Sequence, residues 1–443
     1  MTAEKTSAKR AMEKAIGVAN VSELVDRHTV DGLTPHVVVT PNSVDELARI
    51  MSSAYEGGLA VAPWGGGTRM DLGNPISGLD IVVDLTRMNK MVQHDAADLT
   101  VTVEAGITLS DLQRTLAAQG QFLAVDAAMP DNATIGGILA SGTSGPLKWH
   151  YGSPRDLVIG MKVVQADGRV VKSGGQVVKN VSGYDMARLH IGSIGTLGII
   201  AEVSFKLTPM PRQESTILAA FDSVSSCYTA AMSIFNSDVM PLSLTAFDAN
   251  ANQFGKFTSA ASDSGSAFLA IRLGGRPRTL ARFEKETLKL CDQSSPLSVE
   301  QIDSASMRDL WRKLTDFGWS ENVAPELMAR VSVLPSTAVD VASELGEAQG
   351  FEVAIVSQPG YGNSQVWWFG DGDPAAISTA LSNARENVGK LGGQMIVERC
   401  PTEAKANIDV WGDAGDPVKI MRSLKEQYDP KGIINPGRFV GRI

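Results

Sequence analysis

Leu59-Ala60-Val61-Ala62-Pro63-Trp64-Gly65-Gly66-Gly67-Thr68 is the stretch from which the fold class follows. Leu59 to Ala62 reads as a short apolar strand, and Pro63 to Thr68 as the loop that leaves it. Three consecutive glycines let backbone N–H groups approach an anion with no Cβ in the way, the physical basis of a phosphate nest. Taken alone, such a loop is more often only a turn. It is not a Walker loop, because no Gly-Lys-Ser/Thr follows, and a G-x-G-x-x-G opening a helix is also missing.

Outward from this loop the same grammar repeats. His36 to Thr40 is a β-branched run stopped by Pro41, and Ser43-Val44-Asp45-Glu46 is a capping box before an amphipathic helix that ends at Gly57-Gly58. Asp80 to Leu85 and Leu99 to Glu104 read as strands, with Thr108 capping a helix to Gly120. Leu157 to Gln165 and Arg169 to Lys172 flank Asp167-Gly168, a type I′ hairpin signal, so the sheet cannot be purely parallel. Past Pro209 to Arg212 the glycine density falls, and amphipathic helices alternate with strands such as Ala267 to Leu273 and Val353 to Val356. That change marks a second domain. Tyr428 to Phe439 is too dense in turn formers to continue a core helix and is expected to return to the first domain.

Two further clusters strengthen the triple glycine. Met129 to Gly145 includes Thr134-Ile135-Gly136-Gly137 and a run of small and hydroxyl residues; Gly192 to Ile200 carries glycine at every third position before a β-branched strand. The order Gly65-Gly66-Gly67-Thr68, Pro130-Asp131-x-x-Thr134-Ile135-Gly136-Gly137, Arg155-Asp156, Lys179 to Asp185, Gly192 to Ile200 and Asn435-Pro436-Gly437-Arg438 resembles the vanillyl-alcohol-oxidase and p-cresol-methylhydroxylase (PCMH) superfamily of FAD-binding proteins. The phrases Ser144-Gly145-Pro146, Val178 to Val181, Ser332 to Ser336 and Asp429 to Phe439 look like its glycolate oxidase FAD-binding subunit (GlcE-like) branch.

The resemblance implies an α+β chain. A helical lead over 1–35 would precede a two-subdomain PCMH-type FAD-binding domain over 36–212. A second, cap domain of the FAD-linked oxidase kind would cover 213–425, with a returning segment over 426–443. It implies non-covalent FAD, since Thr68 and Arg69 stand where some members carry a flavin-linked histidine. The implied cofactor residues are Pro63, Trp64, Gly65, Gly66, Gly67, Thr68, Pro130, Asp131, Thr134, Ile135, Gly136, Gly137, Ser141, Ser144, Gly145, Lys179, Tyr184, Gly195, Gly198, Ile199, Ile200, Asn435 and Arg438. Lys179 and Tyr184 would reach the flavin ring or a substrate, where a cation favours the reduced anion. No catalytic residue is assigned.

The residue inventory narrows the function further. At 443 residues, two domains are the prior, and 43% hydrophobic with 20% charged residues is ordinary for a globular protein. The charge is 40 − 49 = −9 with no basic run among aromatics, which argues against nucleic acid. Cys227, Cys291 and Cys400 are too scattered for a cluster, no 18-residue apolar run occurs, and Met1 to Lys14, charged and without an apolar core segment, does not read as a signal peptide. Relatives that oxidise 2-hydroxy acids commonly hold a histidine-rich metal motif in the second domain. Here the five histidines are His28, His36, His94, His150 and His190, and Trp368 to Asp373 keeps only the turn of that motif, so no such metal site is expected.

The resemblance therefore implies the non-metal FAD-binding subunit of a cytoplasmic 2-hydroxy-acid dehydrogenase complex, acting on glycolate or D-lactate. Its partners would be a histidine-bearing flavin subunit and an iron-sulfur subunit, through which any membrane association would come. The rivals are an autonomous FAD-dependent oxidoreductase of an alcohol or sugar, and a non-catalytic flavin-bound structural subunit. His190 is expected in the core and His150 on a surface loop. Arg272 and Arg330 are expected in salt bridges, although either could take a carboxylate. Trp311, Trp319, Trp367, Trp368 and Trp411 are expected as core or interface residues of the second domain.

Overall fold

Helix Val44–Gly57 begins where Ser43 Oγ accepts the amide of Glu46 at 3.2 Å and stops at Gly58, whose φ of +62° no β-carbon residue adopts cheaply. Its Leu47, Ile50, Met51 and Ala54 fall on one face by helical spacing and are fully buried. In the computed structural model, which describes residues 3–23, 26–175, 185–258, 265–319 and 323–443, the chain divides into two compact units. The first comprises Met1–Ser144, Ser153–Met210 and Asp409–Ile443; the second comprises Gly145–Gly152 and Pro211–Ile408.

In the first unit that helix, with Met12 and Ile16 of helix Ala3–Ile16, covers a four-stranded sheet. Ile81–Asp84 lies centrally, parallel to Val37–Val39 on one side and to Val61–Trp64 on the other, with Val21–Ser22 as an antiparallel edge. The strand expected over Leu59 to Ala62 therefore runs two residues later and takes in Pro63 and Trp64. Proline is tolerated there because Val61–Trp64 ends the ladder, where an absent N–H costs no partner. The other subdomain is a five-stranded antiparallel sheet in the order Met91–Asp95, Thr100–Glu104, Ile199–Lys206, Val158–Val164 and Val170–Gly174.

The hairpin at 164–170 is antiparallel, but its turn is not type I′. Only Gly168 has a positive φ, +87°; Gly168 N–H donates to Gln165 O, and Gln165 N–H to Arg169 O. A type I turn closed by a left-handed glycine explains this, with the Asp167 carboxylate accepting the Arg169 amide at 3.0 Å.

The C-terminal segment joins the first unit by backbone pairing. Val61 N–H donates to Ile433 O at 2.7 Å and Asn435 N–H to Val61 O at 2.9 Å, extending the edge beside the triple glycine. Lys425 and Asp429 fix it there. The buried Lys425 ammonium donates to Thr196 O, Ile434 O and Asp429 Oδ2 at 2.7–2.8 Å, and Asp429 also accepts the amides of Ile433 and Ile434. Every hydrogen of the ammonium is used, which offsets the desolvation of the charge.

The second unit is built on a nine-stranded antiparallel sheet. Helices Val224–Phe235 and Pro277–Asp292 cover the core of Ile217, Leu244, Ala246, Leu269 and Ile271. Trp311, from helix Ser304–Asp316, donates its indole N–H to Thr216 Oγ1 at 2.9 Å, satisfying both buried groups.

Candidate functional site

A cleft opens in the first unit. It is lined by Pro63, Trp64, Gly65, Gly66, Gly67 and Thr68; by Thr134, Gly136, Gly137 and Ser141; by Gly195, Gly198, Ile199 and Ile200; and by Asn435 and Arg438. The three glycine clusters and the C-terminal motif, separated by up to about 370 residues of chain, thus meet around one space.

Close backbone approach explains the glycines. A β-carbon on Gly65 would sit 2.2 Å from Thr134 Oγ1, and one on Gly66 1.8 Å from Asn132 O, so the first two loops touch where side chains cannot fit. Among the described residues, the amides of Gly65, Gly66 and Gly67 donate to no acceptor. Thr134 caps helix Ile135–Ser141, accepting the Gly137 amide, and Gly136 N–H bonds to Ala105 O at 2.7 Å, a contact a β-carbon would obstruct. Gly198, at φ +154°, abuts Val163 and Val164. A wall of free amides and small residues suits an extended, polyanionic ligand.

The C-terminal motif supplies the cleft with its one fully buried cation among the lining residues. Arg438 donates from Nε to Leu72 O at 2.9 Å and from Nη2 to Met70 O, while Asn435 Nδ2 bonds Ile194 O at 2.7 Å and Arg438 Nη1 lies 3.5 Å from Asn435 Oδ1. Burial lowers the Arg438 pKa, opposed by the nearby Asp31 and Asp71.

Several expected residues lie elsewhere. Pro130 and Asp131 form the turn leading to Thr134 without lining the cleft, and Asp131 is exposed. Ile135 points into the core, 1% exposed, because its helix presents Gly136 and Gly137 to the cleft instead. Ser144 and Gly145 are likewise not in the lining; Gly145 already belongs to the second unit. Lys179 and Tyr184 lie outside the described residues. Arg69, Met70, Leu85, Ala105, Ala140 and Ile194 line the cleft and were missed; adjacency to the motifs could have signalled Arg69, Met70, Ala140 and Ile194, and nothing nearby in sequence signals Leu85 and Ala105.

The histidines take structural places. His190 is 3% exposed, edge-on to Tyr428, and burial pushes its pKa down to about 4. His28 meets Asp84 at 3.3 Å and the Trp64 ring at 4.9 Å; His36 meets Asp80 and His94 meets Gln121. His150 is exposed. In the second unit Arg272 pairs with Glu214 at 2.7 Å and Arg330 with Glu398 at 3.4 Å. Trp311, Trp319, Trp367 and Trp368 are buried there, whereas Trp411 is in the first unit, its indole N–H donating to Arg438 O.

Comparison with known proteins bears on this cleft. Residues 35–174 match the FAD binding domain family and residues 210–439 the family described as FAD linked oxidases, C-terminal domain. The Bacillus subtilis glycolate oxidase subunit GlcD is 26% identical over 92% of this chain and 89% of its own length. The D-2-hydroxyglutarate dehydrogenase of Xanthomonas citri pv. viticola is 28% identical over 91% and 89%. Among solved structures, p-cresol methylhydroxylase with substrate bound aligns with a TM-score of 0.78 at 16% identity, over 99% of this chain and 97% of that one. An alkyldihydroxyacetonephosphate synthase aligns at 0.75 and 18% identity, over 99% and 86%, and these likenesses establish the two-domain fold.

Proposed function

We propose, on the premise that the chain belongs to the FAD-linked oxidase family, that it oxidises a small 2-hydroxy acid, glycolate or D-lactate, to the 2-oxo acid. The observation that carries this is the cleft where Gly65–Gly67, Thr134–Gly137 and Arg438 converge, in a chain similar along nine-tenths of its length to GlcD. Bound there, FAD supplies the two-electron acceptor for the substrate's C–H bond. The chain's own contribution begins with the free amides of Gly65, Gly66 and Gly67, which suit the pyrophosphate. Thr134, Gly136 and Gly137 keep the facing wall close, and Arg438 adds a fixed positive charge.

The chain acts as the non-metal flavin subunit of a complex in this proposal, as in the GlcE-like branch its phrases resemble. Its partners would be a histidine-bearing flavin subunit and an iron-sulfur subunit, in the cytoplasm or held at a membrane by those partners. Support comes from the histidine inventory, which ends at His190, and from the GlcD relative, itself named a subunit. No helix among the described residues is long and apolar enough to cross a membrane. One observation favours an autonomous enzyme instead: the D-2-hydroxyglutarate dehydrogenase relative, named as a dehydrogenase in its own right, matches at a similar length.

Anaerobic titration of the purified holoprotein with glycolate, D-lactate and D-2-hydroxyglutarate decides between them. Bleaching of the flavin band by the chain alone supports the autonomous enzyme. Bleaching only after co-expression with partner chains supports the subunit. Absence of bleaching in both preparations refutes 2-hydroxy-acid oxidation.

A further inference from the structure

The triple-glycine loop of the first unit is braced by an imidazole and a carboxylate. Trp64 and Asp84 are partners in register at the ends of adjacent parallel strands, on the face of the sheet that also carries Ala62 and Val82. His28, from the short turn Asp26–His28, reaches both of them. Its Nε2 lies 3.3 Å from Asp84 Oδ2, and its ring stands edge to face with the Trp64 indole, 4.9 Å between centroids. His28 and Asp84 are 1% and 2% exposed.

Asp84 has other donors besides. Thr86 gives its amide and hydroxyl to Oδ1 at 3.0 and 2.6 Å, and Arg27 gives Nη2 to Oδ2 at 3.2 Å. Burial lowers the His28 pKa from 6.5, helped by Arg27 and opposed by Asp84, so the ring is neutral at physiological pH and donates from Nε2. Its Nδ1 is then buried with no partner among the described residues. Phenylalanine would pack against the indole without burying an unsatisfied nitrogen, so packing alone does not account for a histidine here.

The indole in turn meets the loop. A β-carbon on Gly67, whose φ is +75°, would stand 2.7 Å from Cζ2 and 3.3 Å from Nε1 of Trp64, so the ring edge that bears the N–H lies against the loop with the free amides. Trp64 is half-buried and lines the cleft, and among the described residues its Nε1 has no acceptor. We propose that the Trp64 indole N–H is a side-chain donor to the cofactor's pyrophosphate, beside the amides of Gly65–Gly67, and that His28, oriented by Asp84, is the positioning residue that holds the ring for it. A ring in a cleft wall otherwise turns about its side-chain torsions, and holding it in advance lowers the entropy lost on binding. This role rests on the function proposed above, in which the pyrophosphate lies at Gly65–Gly67, and does not depend on which hydroxy acid is oxidised.

The test titrates the flavin-stripped full chain with FAD, in wild type, Trp64→Phe, His28→Gln and the double variant. Trp64→Phe keeps an aromatic ring and loses only the donor to a charged group, so the FAD Kd is expected to rise about tenfold. His28→Gln still offers Asp84 a donor but no ring to the indole, and should raise the Kd about fivefold. The double variant should bind FAD no more weakly than Trp64→Phe, whatever each change does to the ligand-free Tm, because His28 acts through the indole. With the indoles isotope-labelled for NMR, the Trp64 N–H resonance, identified by its loss in Trp64→Phe, should move downfield when FAD binds. Losses that multiply in the double variant, or an unchanged Kd in His28→Gln, overturn the positioning role. An unchanged Kd in Trp64→Phe with weakened binding in Gly66→Ala overturns the indole donor alone. Unchanged binding in Gly66→Ala as well removes the pyrophosphate from this loop, and the donor falls with it.

Discussion

The two units use opposite strategies to prepare a surface. In the first, the cleft is made largely of backbone: glycines at 65, 66, 136 and 198 stand where a β-carbon would meet a neighbouring chain segment, and main-chain amides are on offer beside the Arg438 guanidinium. In the second, a regular sheet supplies a rigid platform, and what distinguishes one face is the side chains of Ser243, Thr245, Arg272 and Gln365. Backbone sites tolerate almost no substitution at their contact points, because any side chain is too large. Side-chain sites on a sheet tolerate shape-conserving changes and lose only chemistry. Variants in the two units should therefore fail in different ways.

The largest effect is expected where the C-terminal segment is pinned. Lys425→Met leaves Asp429 buried beside two amides without its cation, and denaturant unfolding should show a loss of about 3–5 kcal/mol. Lys425→Met combined with Asp429→Asn should lose less than Lys425→Met alone. If the single variant is no less stable than wild type, the segment is not held as described.

A smaller effect, read in flavin content, sharpens the contrast between backbone and side-chain sites. Gly66→Ala places a methyl 1.8 Å from Asn132 O and forces the two loops apart. FAD affinity is expected to fall about a hundredfold, or about 2.7 kcal/mol. Gly389→Ala, within helix Pro374–Lys390 of the second unit and with open space around it, should keep its flavin and gain up to about 1 kcal/mol of stability. Full flavin content in Gly66→Ala would remove the two-loop cradle from the cofactor site.

Per pH unit, the smallest effect is the pH dependence that His190 contributes in the first unit. His190 has its folded pKa lowered from 6.5 to about 4, so between those values the unfolded chain takes up a proton that the folded chain refuses. Stability should be unaffected by this group above pH 6.5. It should fall by at most about 1.4 kcal/mol per pH unit as the pH drops toward 4. His190→Phe, which keeps an aromatic ring against Tyr428, should flatten that part of the Tm profile. An unchanged slope would place the acid sensitivity elsewhere.

Much of the first unit was legible because its constraints are local. A capping box at Ser43, a glycine stop at Gly58 and the β-branched run of Ile81–Asp84 depend on residues a few positions apart. The hairpin turn at Asp167-Gly168 was misread in type, since the Asp-Gly pair serves both turns and the backbone, held by the Asp167 carboxylate, chose between them. Ile135 was misplaced because a motif names its residues without saying which helix face turns inward. The missed Met70, Leu85 and Ala105 carry no chemical signal of their own.

By itself, then, the sequence determined that glycine clusters in a set order belong to one α+β domain, because only glycine satisfies close backbone approach wherever it occurs along the chain; that the domain binds a nucleotide came from the family resemblance those clusters carry. The resemblance already named Asn435 and Arg438 for the cofactor; the tertiary structure alone decided that Met70, Leu85 and Ala105 line the same cleft, and that Ser243 and Thr245 share a face with Arg272 and Gln365. Those juxtapositions are set by strand register and edge pairing between distant segments, and a one-residue slip would send every one of the sheet residues to the other face.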